Sequence, residues 1–421
     1  MKNKNIIISC TLGNIIQFYD YILFGYFSQL LSQVFFPVSD LYTTKMLGFA
    51  VFALGCLMRP IGACLFGYYG DKIGRKKLLI LSIAISTGAT SLVGLVPTFA
   101  DIGLWASVVF VSLRILQGFS MSGEETGASV FLAEVVPKTQ PGLAGSVILG
   151  SVYLGLLAGS LIVLFTSLLL TEHQLVAWGW RIPFLLSILF GTLVVLVRNR
   201  QRESQPFLMM QQTGKLAKNP LIEVIAFYKK TTFRCVLACA SLAVSAYIFA
   251  VYIPTYFNNI FDYHVSMLIC GASFLAAFIA VLLVGLWVDK IGYRLPLIAS
   301  NLSFMIMAPL IFSCLNKQTL SSALVAESLL VVCIGLNAGA LMPMLLKQFP
   351  LQLRCSGVGI AFNLSMTIFG STAPLLTLYL SKIFQGTMAP SLYLIFSAAL
   401  GLSGVLFLER KSLIENISVT I

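Results

Sequence analysis

Long apolar runs alternate with short polar segments along the whole chain. Most of these runs match or exceed the roughly 20 residues that an α-helix needs to cross a bilayer. They predict twelve membrane-spanning helices, at about 7–36, 44–67, 78–97, 104–134, 142–170, 180–198, 233–257, 266–288, 296–314, 321–347, 355–381 and 389–408. The first run is too long for a cleavable signal and lacks a small-residue cleavage site, so we expect it to be the first span.

One polar motif occurs twice between these spans. The residues from Asp71 to Gly74 read Asp-Lys-Ile-Gly, and the same four recur from Asp289 to Gly292, 218 positions later (71 to 289) in a chain of 421 residues. Duplicated halves are typical of secondary transporters. We therefore predict an N-terminal six-helix bundle at 1–198, a cytoplasmic central loop at 199–232 and a C-terminal six-helix bundle at 233–421.

The composition excludes a soluble globular protein. Hydrophobic residues make up 58% of the chain, charged residues 10%, and the mean hydropathy is +0.94, which leaves too little polar surface for water. The sequence contains no phosphate-binding loop, no GxSxG motif and no metal-ligand cluster. Its nine cysteines are scattered without a CxxC pair, as expected of small apolar residues within spans. We therefore predict a membrane protein that is not an enzyme and that uses no metal or cofactor.

The basic residues are concentrated in alternate loops. One side holds Lys2, Lys4, Lys72, Arg75, Lys76, Lys77, Lys138, Arg198, Arg200, Arg202, Lys215, Lys218, Lys229, Lys230, Arg234, Lys290, Arg294, Lys347, Arg354, Arg410 and Lys411, and the other side holds Lys45, Lys317 and Lys382. Because positive charge marks the cytoplasmic side, both termini are predicted to be cytoplasmic and the chain multi-pass in the cell inner membrane. The net charge of +12 then reflects topology and indicates no nucleic-acid partner.

Two predicted spans carry ionisable residues at membrane depth. Asp20 lies in the first span and Arg114, Glu124 and Glu125 in the fourth. Charges at this depth are costly unless they are paired or face water, so Arg114 is expected to pair with Asp20, Glu124 or Glu125. Our hypothesis is that Asp20 or Glu124 carries a proton and that Arg114 tunes it or binds an anionic substrate group. The alternative is an ion pair that only holds spans 1 and 4 together.

The repeated segment also carries a family resemblance. Residues 67–77 follow the pattern Gly-x-x-x-Asp-Lys-x-Gly-Arg-Lys-Lys, which resembles the signature of the major facilitator superfamily between helices 2 and 3. Further motifs resemble the metabolite:proton symporters, the group of proline/glycine-betaine, α-ketoglutarate, citrate and shikimate carriers. These motifs are Gly13-Asn14 with Gln17-Phe18-Tyr19-Asp20-Tyr21, Arg59-Pro60 with Gly62, Arg114 with Gln117-Gly118 and Ser120 to Glu124, Trp178 to Phe184, Glu203 with Pro206-Phe207, and Phe349-Pro350 with Arg354.

The resemblance implies a fold and a function. The fold is all-α, with twelve transmembrane helices in two pseudo-symmetric six-helix bundles. The function is secondary active transport, the proton-coupled uptake of a small organic acid or zwitterionic osmolyte or amino acid, with the proton gradient as energy source. A monomer that contacts solute, protons and membrane lipids is expected. Two alternatives stay open: a carrier or exporter of a larger metabolite such as a siderophore, and a solute sensor that does not transport.

The resemblance also points to a gate at the cytoplasmic face. Small residues at Gly67 and Gly74 allow a tight turn and close helix approach. Asp71 is expected to contact a helix N-terminus across this face, and Arg75 to reach Glu134 at the end of the fourth span. Such contacts would hold the inner face shut and break when it opens. In the second copy Asp289 has the matching place, but Tyr293 replaces the arginine, so a weaker latch is predicted there.

Candidate substrate contacts are spread over both halves. In the N-terminal half they are Gln17, Tyr21 and Gln117. In the C-terminal half Tyr252 and Asn363 offer a hydroxyl, an amide and an aromatic face, and aromatic faces can hold a quaternary ammonium group. A tyrosine near a helix end is also common as an interfacial anchor, which is the alternative role for Tyr252.

Five positions depart from the symporter pattern. Gln17 replaces the usual helix-1 glutamate, Glu125 replaces an aromatic residue of helix 4, and Lys347 replaces a glutamate before Phe-Pro. Ser122 and Thr126 each replace a glycine of the helix-4 pattern. Glu125 is a candidate to compensate for Gln17. The departures leave proton stoichiometry and substrate open, together with uniport or exchange as alternatives to symport.

Overall fold

The computed structural model describes residues 2–36, 51, 53–137, 139–383 and 388–408. Within these ranges the protein is helical and contains no strand. The long helices are α1 Lys2–Tyr26, α2 Arg59–Lys72, α3 Arg75–Val93, α4 Leu104–Val135, α5 Pro141–Leu169, α6 Arg181–Asn199, α7 Lys229–Phe257, α8 Tyr263–Ile291, α9 Arg294–Asn316, α10 Leu320–Gln348, α11 Leu351–Thr377 and α12 Ala389–Phe407. Short helices occupy Ser28–Phe35, Phe99–Ile102, Glu172–Gln174, Leu175–Gly179, Gln205–Gln212 and Pro220–Phe227, and Ala373–Ile383 continues α11. The predicted all-α class is confirmed.

The helices have the length and surface of membrane spans. Among the described residues, 11 helices are long and apolar enough to cross a bilayer. The remaining one, α2, has 14 residues, and its predicted span of 44–67 begins outside the described residues. Large apolar side chains point away from the protein: Leu104 is 70% exposed, Trp105 71% and Ile306 70%. Such a surface is stable when lipid covers it.

The two halves meet along two helix pairs. Helices α1–α6 form one half and α7–α12 the other, and α5 packs on α8 while α2 packs on α11. Because α2 and α8 each end in the repeated motif, the two pairs correspond to each other through the duplication. Small residues bring α5 and α8 into contact, since a β-carbon on Gly285 would collide with Ser146 and one on Gly142 with the Gly285 carbonyl oxygen.

Two helices of the second half are interrupted inside the membrane. Helix α7 contains a π-helical turn at Ile248–Tyr252, and α11 contains one at Met366–Gly370. Turns of this kind are frequent at functional sites. The Tyr247 ring fills the space beside Gly370, 2.7 Å from where a β-carbon would lie. The two interruptions therefore pack against each other between α7 and α11.

One end of the molecule carries the basic loops and is called the basic end below. It consists of the turn after α2, the turn after α8 and the connection between α6 and α7. That connection contains the short helices Gln205–Gln212 and Pro220–Phe227, which pack against α2, α4 and α11. Phe207 and Val224 are buried there. The predicted central loop thus contacts helices of both halves.

Some predicted features cannot be placed on this fold. Outside the described residues lie Lys45, Lys138, Arg410 and Lys411, and the side chains of Lys2, Lys4 and Lys382 are likewise not described.

Candidate functional site

A cavity of about 50 Å³ lies between the two halves. This is room for a few water molecules. Its walls come from the first half through Phe18, Tyr21, Arg59, Glu125, Leu149, Val152, Tyr153 and Leu156, and from the second half through Leu242, Ala246, Tyr247, Ala250, Ala338, Phe362 and Met366. Mostly apolar walls with a few placed polar groups are typical of small-molecule sites. Because both halves contribute, a relative movement of the halves changes the shape of the cavity.

The charged part of the cavity wall is a buried ion pair. Arg59 on α2 and Glu125 on α4 are each 3% exposed, and the Arg59 Nη2 lies 3.0 Å from Glu125 Oε2. The Arg59 Nε–H donates to Asn363 Oδ1 on α11 at 3.0 Å. Burying two charges is costly, and additional hydrogen bonds such as this one offset part of the cost. The pair presents one positive and one negative group side by side, and Asn363 connects it to the other half.

Aromatic rings surround this ion pair. Tyr21 and Tyr247 meet edge to face across the two halves with centroids 6.3 Å apart, and Phe18 packs on Tyr21 at 6.1 Å. Tyr153 forms a further part of the wall. The Cys56 thiol lies 3.4 Å from the Tyr247 hydroxyl. Aromatic faces attract cations, so the cavity can accept a positively charged group of a solute as well as an apolar one.

The expected pairing of Arg114 with Glu124 or Glu125 was wrong. Glu125 pairs with Arg59, and Glu124 has a different arginine. Arg114 instead donates to the Gln117 side-chain oxygen and lies over the Phe24 ring, 4.3 Å from its centroid. The reason is the distance along the helix. Arg114 is about three turns from Glu125 on α4, so the two side chains lie at different depths in the membrane.

Glu124 is bound by Arg198, which was predicted to lie on the cytoplasmic side among the basic residues of the loops. Arg198, in the last turn of α6, donates from Nη1 to Glu124 Oε2 at 2.7 Å and from Nη2 to Glu124 Oε1. Ser82 on α3 donates to the same carboxylate at 3.0 Å. Arg198 is 1% exposed, which corrects its assignment to the cytoplasmic surface. A carboxylate held in this way fastens α3, α4 and α6 together.

Asp20 has a different environment from either glutamate. It is fully buried on α1, and the Ser187 hydroxyl on α6 donates to Asp20 Oδ1 at 2.6 Å. Among the described residues, Asp20 Oδ2 has no hydrogen-bond partner and Asp20 forms no ion pair. Gln17, one turn earlier, is 1% exposed and its side-chain amide likewise has no partner in that part of the chain. Asp20 is thus a buried acid whose charge nothing described here neutralises.

At the basic end, Asp71 joins the two halves. Its carboxylate accepts hydrogen bonds from the backbone amides of Cys355 at 3.1 Å and Ser356 at 2.9 Å. These amides belong to the first turn of the α-helical part of α11, which begins at Arg354. Amides in a first helical turn have no intrahelical partner and carry partial positive charge. The predicted contact of Asp71 with a helix N-terminus has this geometry.

Arg75 extends the same cluster. Its Nε–H donates to Glu134 Oε1 on α4 at 3.1 Å, and its Nη2 lies 3.5 Å from Asp71 Oδ1. The guanidinium also donates to the carbonyl oxygens of Gly70 and Leu351, at 2.8 and 2.9 Å. Leu351 is the first residue of α11, so Arg75 too connects the halves. The geometry predicted for Arg75 and Glu134 is present, while their role as a gate stays a prediction.

The second motif copy makes the matching contact. Asp289 at the end of α8 accepts hydrogen bonds from the amides of Gly142 at 2.6 Å and Leu143 at 3.1 Å. These amides begin α5, whose first residue is Pro141. Tyr293 replaces Arg75 in this copy and lies beneath the Lys347 ammonium, 5.0 Å from its ring centroid. The two copies therefore cap helix N-termini in opposite halves, with a larger charged cluster around the first.

The predicted gate glycines lie where the backbone approaches closely. A β-carbon on Gly67 would be 2.7 Å from Ser356 Cα of the other half. Gly74 has a φ of 120°, which suits glycine, and a β-carbon there would meet the Glu203 carboxylate. Glu203 accepts a hydrogen bond from the Lys76 amide at 3.0 Å. Burial raises the pKa of Glu203, and the amides of Ser204 and Lys76 oppose this increase.

The predicted substrate contacts divide into two groups. Tyr21 lines the cavity and Asn363 contacts Arg59, so both belong to it. Gln17, Gln117 and Tyr252 are buried outside the described cavity wall: Gln117 donates to Thr90 Oγ1 on α3 at 2.9 Å, and Tyr252 stacks on Tyr256 with centroids 6.1 Å apart. Their role in substrate binding stays a prediction.

Arg59 and Arg198 were not among the site residues predicted from the sequence, and Glu125 was named only as a partner of Arg114 or a replacement for Gln17. Arg59 and Glu125 form the ion pair of the cavity, and Arg198 neutralises Glu124. Signals for the first two were present, because Arg59 belongs to a quoted motif and Glu125 is a departure from the symporter pattern. Arg198 has no such signal, since an arginine at the end of a span looks like an interfacial anchor.

Comparison with known proteins identifies the family. A model of the Major Facilitator Superfamily matches residues 12–374. The chain belongs to this superfamily. It is 30% identical over 414 residues to the proline/betaine transporter of Salmonella typhimurium, with 95% of this chain and 82% of that protein covered. It is also 30% identical over 414 residues to the citrate-proton symporter of Klebsiella pneumoniae, with 96% and 92% covered. The predicted symporter family is thereby confirmed.

Solved structures share the fold. The proton:xylose symporter XylE bound to 6-bromo-6-deoxy-D-glucose has a TM-score of 0.79 at 18% identity, with 99% of both chains covered. The inward open conformation of XylE from E. coli gives 0.70 at 18% identity, with 98% of this chain and 99% of that chain covered. The two-bundle major facilitator fold is therefore confirmed.

Proposed function

We propose that this protein is a proton-coupled symporter that takes up a small zwitterionic or anionic metabolite by alternating access. Its relatives are named proline/betaine, ectoine/proline and citrate-proton carriers, which supports this class of solute. The basic end is then cytoplasmic, as the positive-inside pattern predicts. The chain works as a monomer in the inner membrane, with both termini in the cytoplasm.

The Arg59–Glu125 pair carries the proposal and favours a zwitterion. A solute carboxylate binds Arg59, and its ammonium group binds Glu125 and the faces of Tyr21 and Tyr247. The solute then replaces one internal ion pair with two external ones, so the total charge in the cavity does not change. A multiply charged anion would leave negative charge uncompensated at low dielectric, which is costly. Zwitterions therefore rank above organic acids as substrates.

Asp20 is the better of the two predicted proton carriers. Glu124 is already neutralised by Arg198 and is fixed by Ser82, so releasing its charge would cost an ion pair. Asp20 lacks such a partner among the described residues, and a buried carboxyl of this kind favours its protonated form. Entry of water during the cycle reverses that preference. Asp20 thus binds a proton on one side of the cycle and releases it on the other. Arg114 is connected to this acid indirectly, because it donates to Gln117 and Gln117 donates to Thr90, whose hydroxyl faces Asp20.

Uptake into proteoliposomes tests the function. Purified protein is reconstituted and offered labelled proline, glycine betaine, α-ketoglutarate, citrate and shikimate, with and without an inward proton gradient. We expect accumulation of a zwitterion that the gradient stimulates and that a proton ionophore abolishes. Liposomes without protein, and protein offered the same solutes at equal pH on both sides, are the controls.

Any other outcome of the uptake experiment would contradict a specific part of the proposal. Accumulation of citrate or α-ketoglutarate but no zwitterion would contradict the role of Arg59 and Glu125. Exchange without gradient stimulation would mean that the carrier is uncoupled, as the Gln17 departure allows. Binding of a solute without any exchange would indicate a sensor.

A further inference from the structure

A buried acid in the second half has no part in the function proposed so far. Glu327 lies on α10, 2% exposed, and its Oε2 has no hydrogen-bond partner in the described part of the chain. No ion pair to Glu327 is found there either. It is the eighth residue of α10, which puts it about 10 Å from the helix end opposite the basic end. It is therefore remote from the gate of Asp71 and Asp289.

The neighbours of Glu327 come from both halves. From α8 of its own half, the Ser273 hydroxyl faces the Glu327 carboxyl, and the Cys270 thiol is close enough to interact electrostatically with it. From α1 of the other half, Tyr26 is also close enough to interact electrostatically with Glu327, and the Tyr26 hydroxyl lies 2.9 Å from Ser160 Oγ on α5. Glu327 thus faces the contact between the halves at the opposite end.

Among the residues that the structure describes, the titratable groups facing Glu327 supply no fixed positive charge. They are the phenol of Tyr26 on α1, with the Tyr263 phenol close to it, and the Cys270 thiol on α8, while Ser160 of α5 contributes a hydroxyl beside Tyr26. Helix α9, which packs on α10, ends with the half-buried Cys314 and the exposed Lys317. An ionised carboxylate in this water-free contact would carry a charge that no nearby group neutralises, which is costly. A neutral carboxylic acid does not have this cost.

We propose that Glu327 is a proton-binding site that controls closure of the opposite end. When the halves separate at that end, water reaches Glu327 and the carboxyl ionises. Closing the end returns it to the dry contact, and this requires that it first take up a proton. An acidic exterior therefore favours closure. The proposal rests on the proposed transport cycle but not on its substrate, and it differs from the role of Asp20, which lies on the other half.

The first test measures the proton directly. The infrared carboxylic-acid C=O band of the purified protein at neutral pH should contain a component that is lost in Glu327→Gln and kept in Glu327→Asp, while the component from Asp20 remains in both. Glu172→Gln is the matched control, because Glu172 is exposed in an outer connection and should leave the band unchanged. If Glu327→Gln leaves the band unchanged in a correctly folded protein, the proton-binding site is disproved.

The second test measures closure without transport. Alkylation of Cys270, which is 2% exposed at this contact, is followed by mass spectrometry from pH 6 to 9 (about three units around neutrality). The ratio of labelling in the native protein to that in Glu327→Gln should rise with pH, because only the native protein opens as Glu327 ionises. A simple electrostatic effect has the opposite sign, since a nearby carboxylate suppresses thiolate formation at Cys270.

These two tests are separable from the proposed function. A ratio that stays flat or falls with pH overturns the role of Glu327 in closure, whether or not the protein transports. A native protein that shows no gradient-driven uptake overturns proton coupling, while the infrared band and the Cys270 ratio still decide the role of Glu327. Glu327→Asp should restore the rise of the ratio, which a merely structural defect of Glu327→Gln would not explain.

Discussion

At the scale of single residues, the membrane acids differ in how their charge is neutralised. Glu125 has Arg59 and Glu124 has Arg198, whereas among the groups described Asp20 has only hydroxyls, those of Ser187 and Thr90. A paired acid is stabilised as an anion, and an unpaired buried acid as a neutral group. This difference separates structural carboxylates from those that can exchange protons during a cycle.

The first prediction concerns Asp20. Asp20→Asn should keep exchange of labelled for unlabelled solute but lose stimulation by an inward proton gradient, because the amide cannot bind or release a proton. The Asn side chain still accepts the Ser187 hydrogen bond, so folding should be preserved. Uptake and counterflow in the same proteoliposomes measure this split.

Asp101 provides the control for that variant. It is an exposed acid that caps a short helix, accepting from the Thr98 amide at 2.9 Å, and the hydrogen bonds from Thr98 lower the pKa of Asp101. Asp101→Asn should retain native stimulation by the gradient. Full gradient-driven accumulation by Asp20→Asn would show that another group carries the proton.

At the scale of helices, the predicted gate consists of carboxylates that cap helix N-termini across the interface. Asp71 caps α11 and Asp289 caps α5, so each half supplies one acid and one helix start. Hydrogen bonds to a charged group contribute about 1.5–3 kcal/mol each. They exist only while the halves touch at the basic end, and their sum therefore favours the conformation closed at that end.

The second prediction compares the two caps. Asp71→Asn should weaken the closed conformation by about 1–3 kcal/mol and increase alkylation of Cys355, which is 2% exposed behind the gate. Asp289→Asn should also increase it, but less, because the cluster of Arg75 and Glu134 remains intact. Labelling of Cys355 followed by mass spectrometry gives both values.

Asp289→Asn is the more informative of the two variants. Asp289 is far in sequence and in the fold from Cys355, so its effect can only act through separation of the halves. Unchanged Cys355 labelling in both variants would mean that the caps do not hold the basic end closed.

At the scale of the whole molecule, the halves fit because small residues line their contacts. Gly285 on α8 leaves no room for a β-carbon against Ser146 of α5, and Gly67 leaves little against Ser356. Gly271, on the same helix as Gly285, has only Leu157 Cδ1 at 3.4 Å, an ordinary contact. Helices α5 and α8 are therefore packed more tightly at the basic end than at the opposite end.

The third prediction uses this difference. Gly285→Ala should push α5 and α8 apart at the basic end, because overpacking costs about 1–3 kcal/mol, and should raise Cys355 labelling. Gly271→Ala is the matched control on α8 and should leave labelling close to native. Equal labelling in the two variants would show that the Gly285 contact does not limit closure.

Much of this architecture was accessible from the sequence. Eleven of the predicted spans correspond to helices that are long enough to cross a bilayer. They could be predicted because a bilayer requires long apolar segments, which are visible in the sequence. The duplication was visible in the repeated motif, and the contacts of Asp71, Arg75 and Glu134 were expected from the resemblance to the superfamily. The arginine partners of Glu124 and Glu125 were not foreseen, because both glutamates were expected as partners of Arg114.

What the sequence by itself determined is the number of helices and the presence of two related halves, since the first depends on local hydrophobicity and the second on repetition. Only the tertiary structure decided which charges meet. Arg59 and Glu125 are 66 residues apart and Arg198 and Glu124 are 74 apart, and Glu327 faces Tyr26 from the other half. Such pairs depend on helix rotation and depth, and these are set by packing between segments that no local pattern relates.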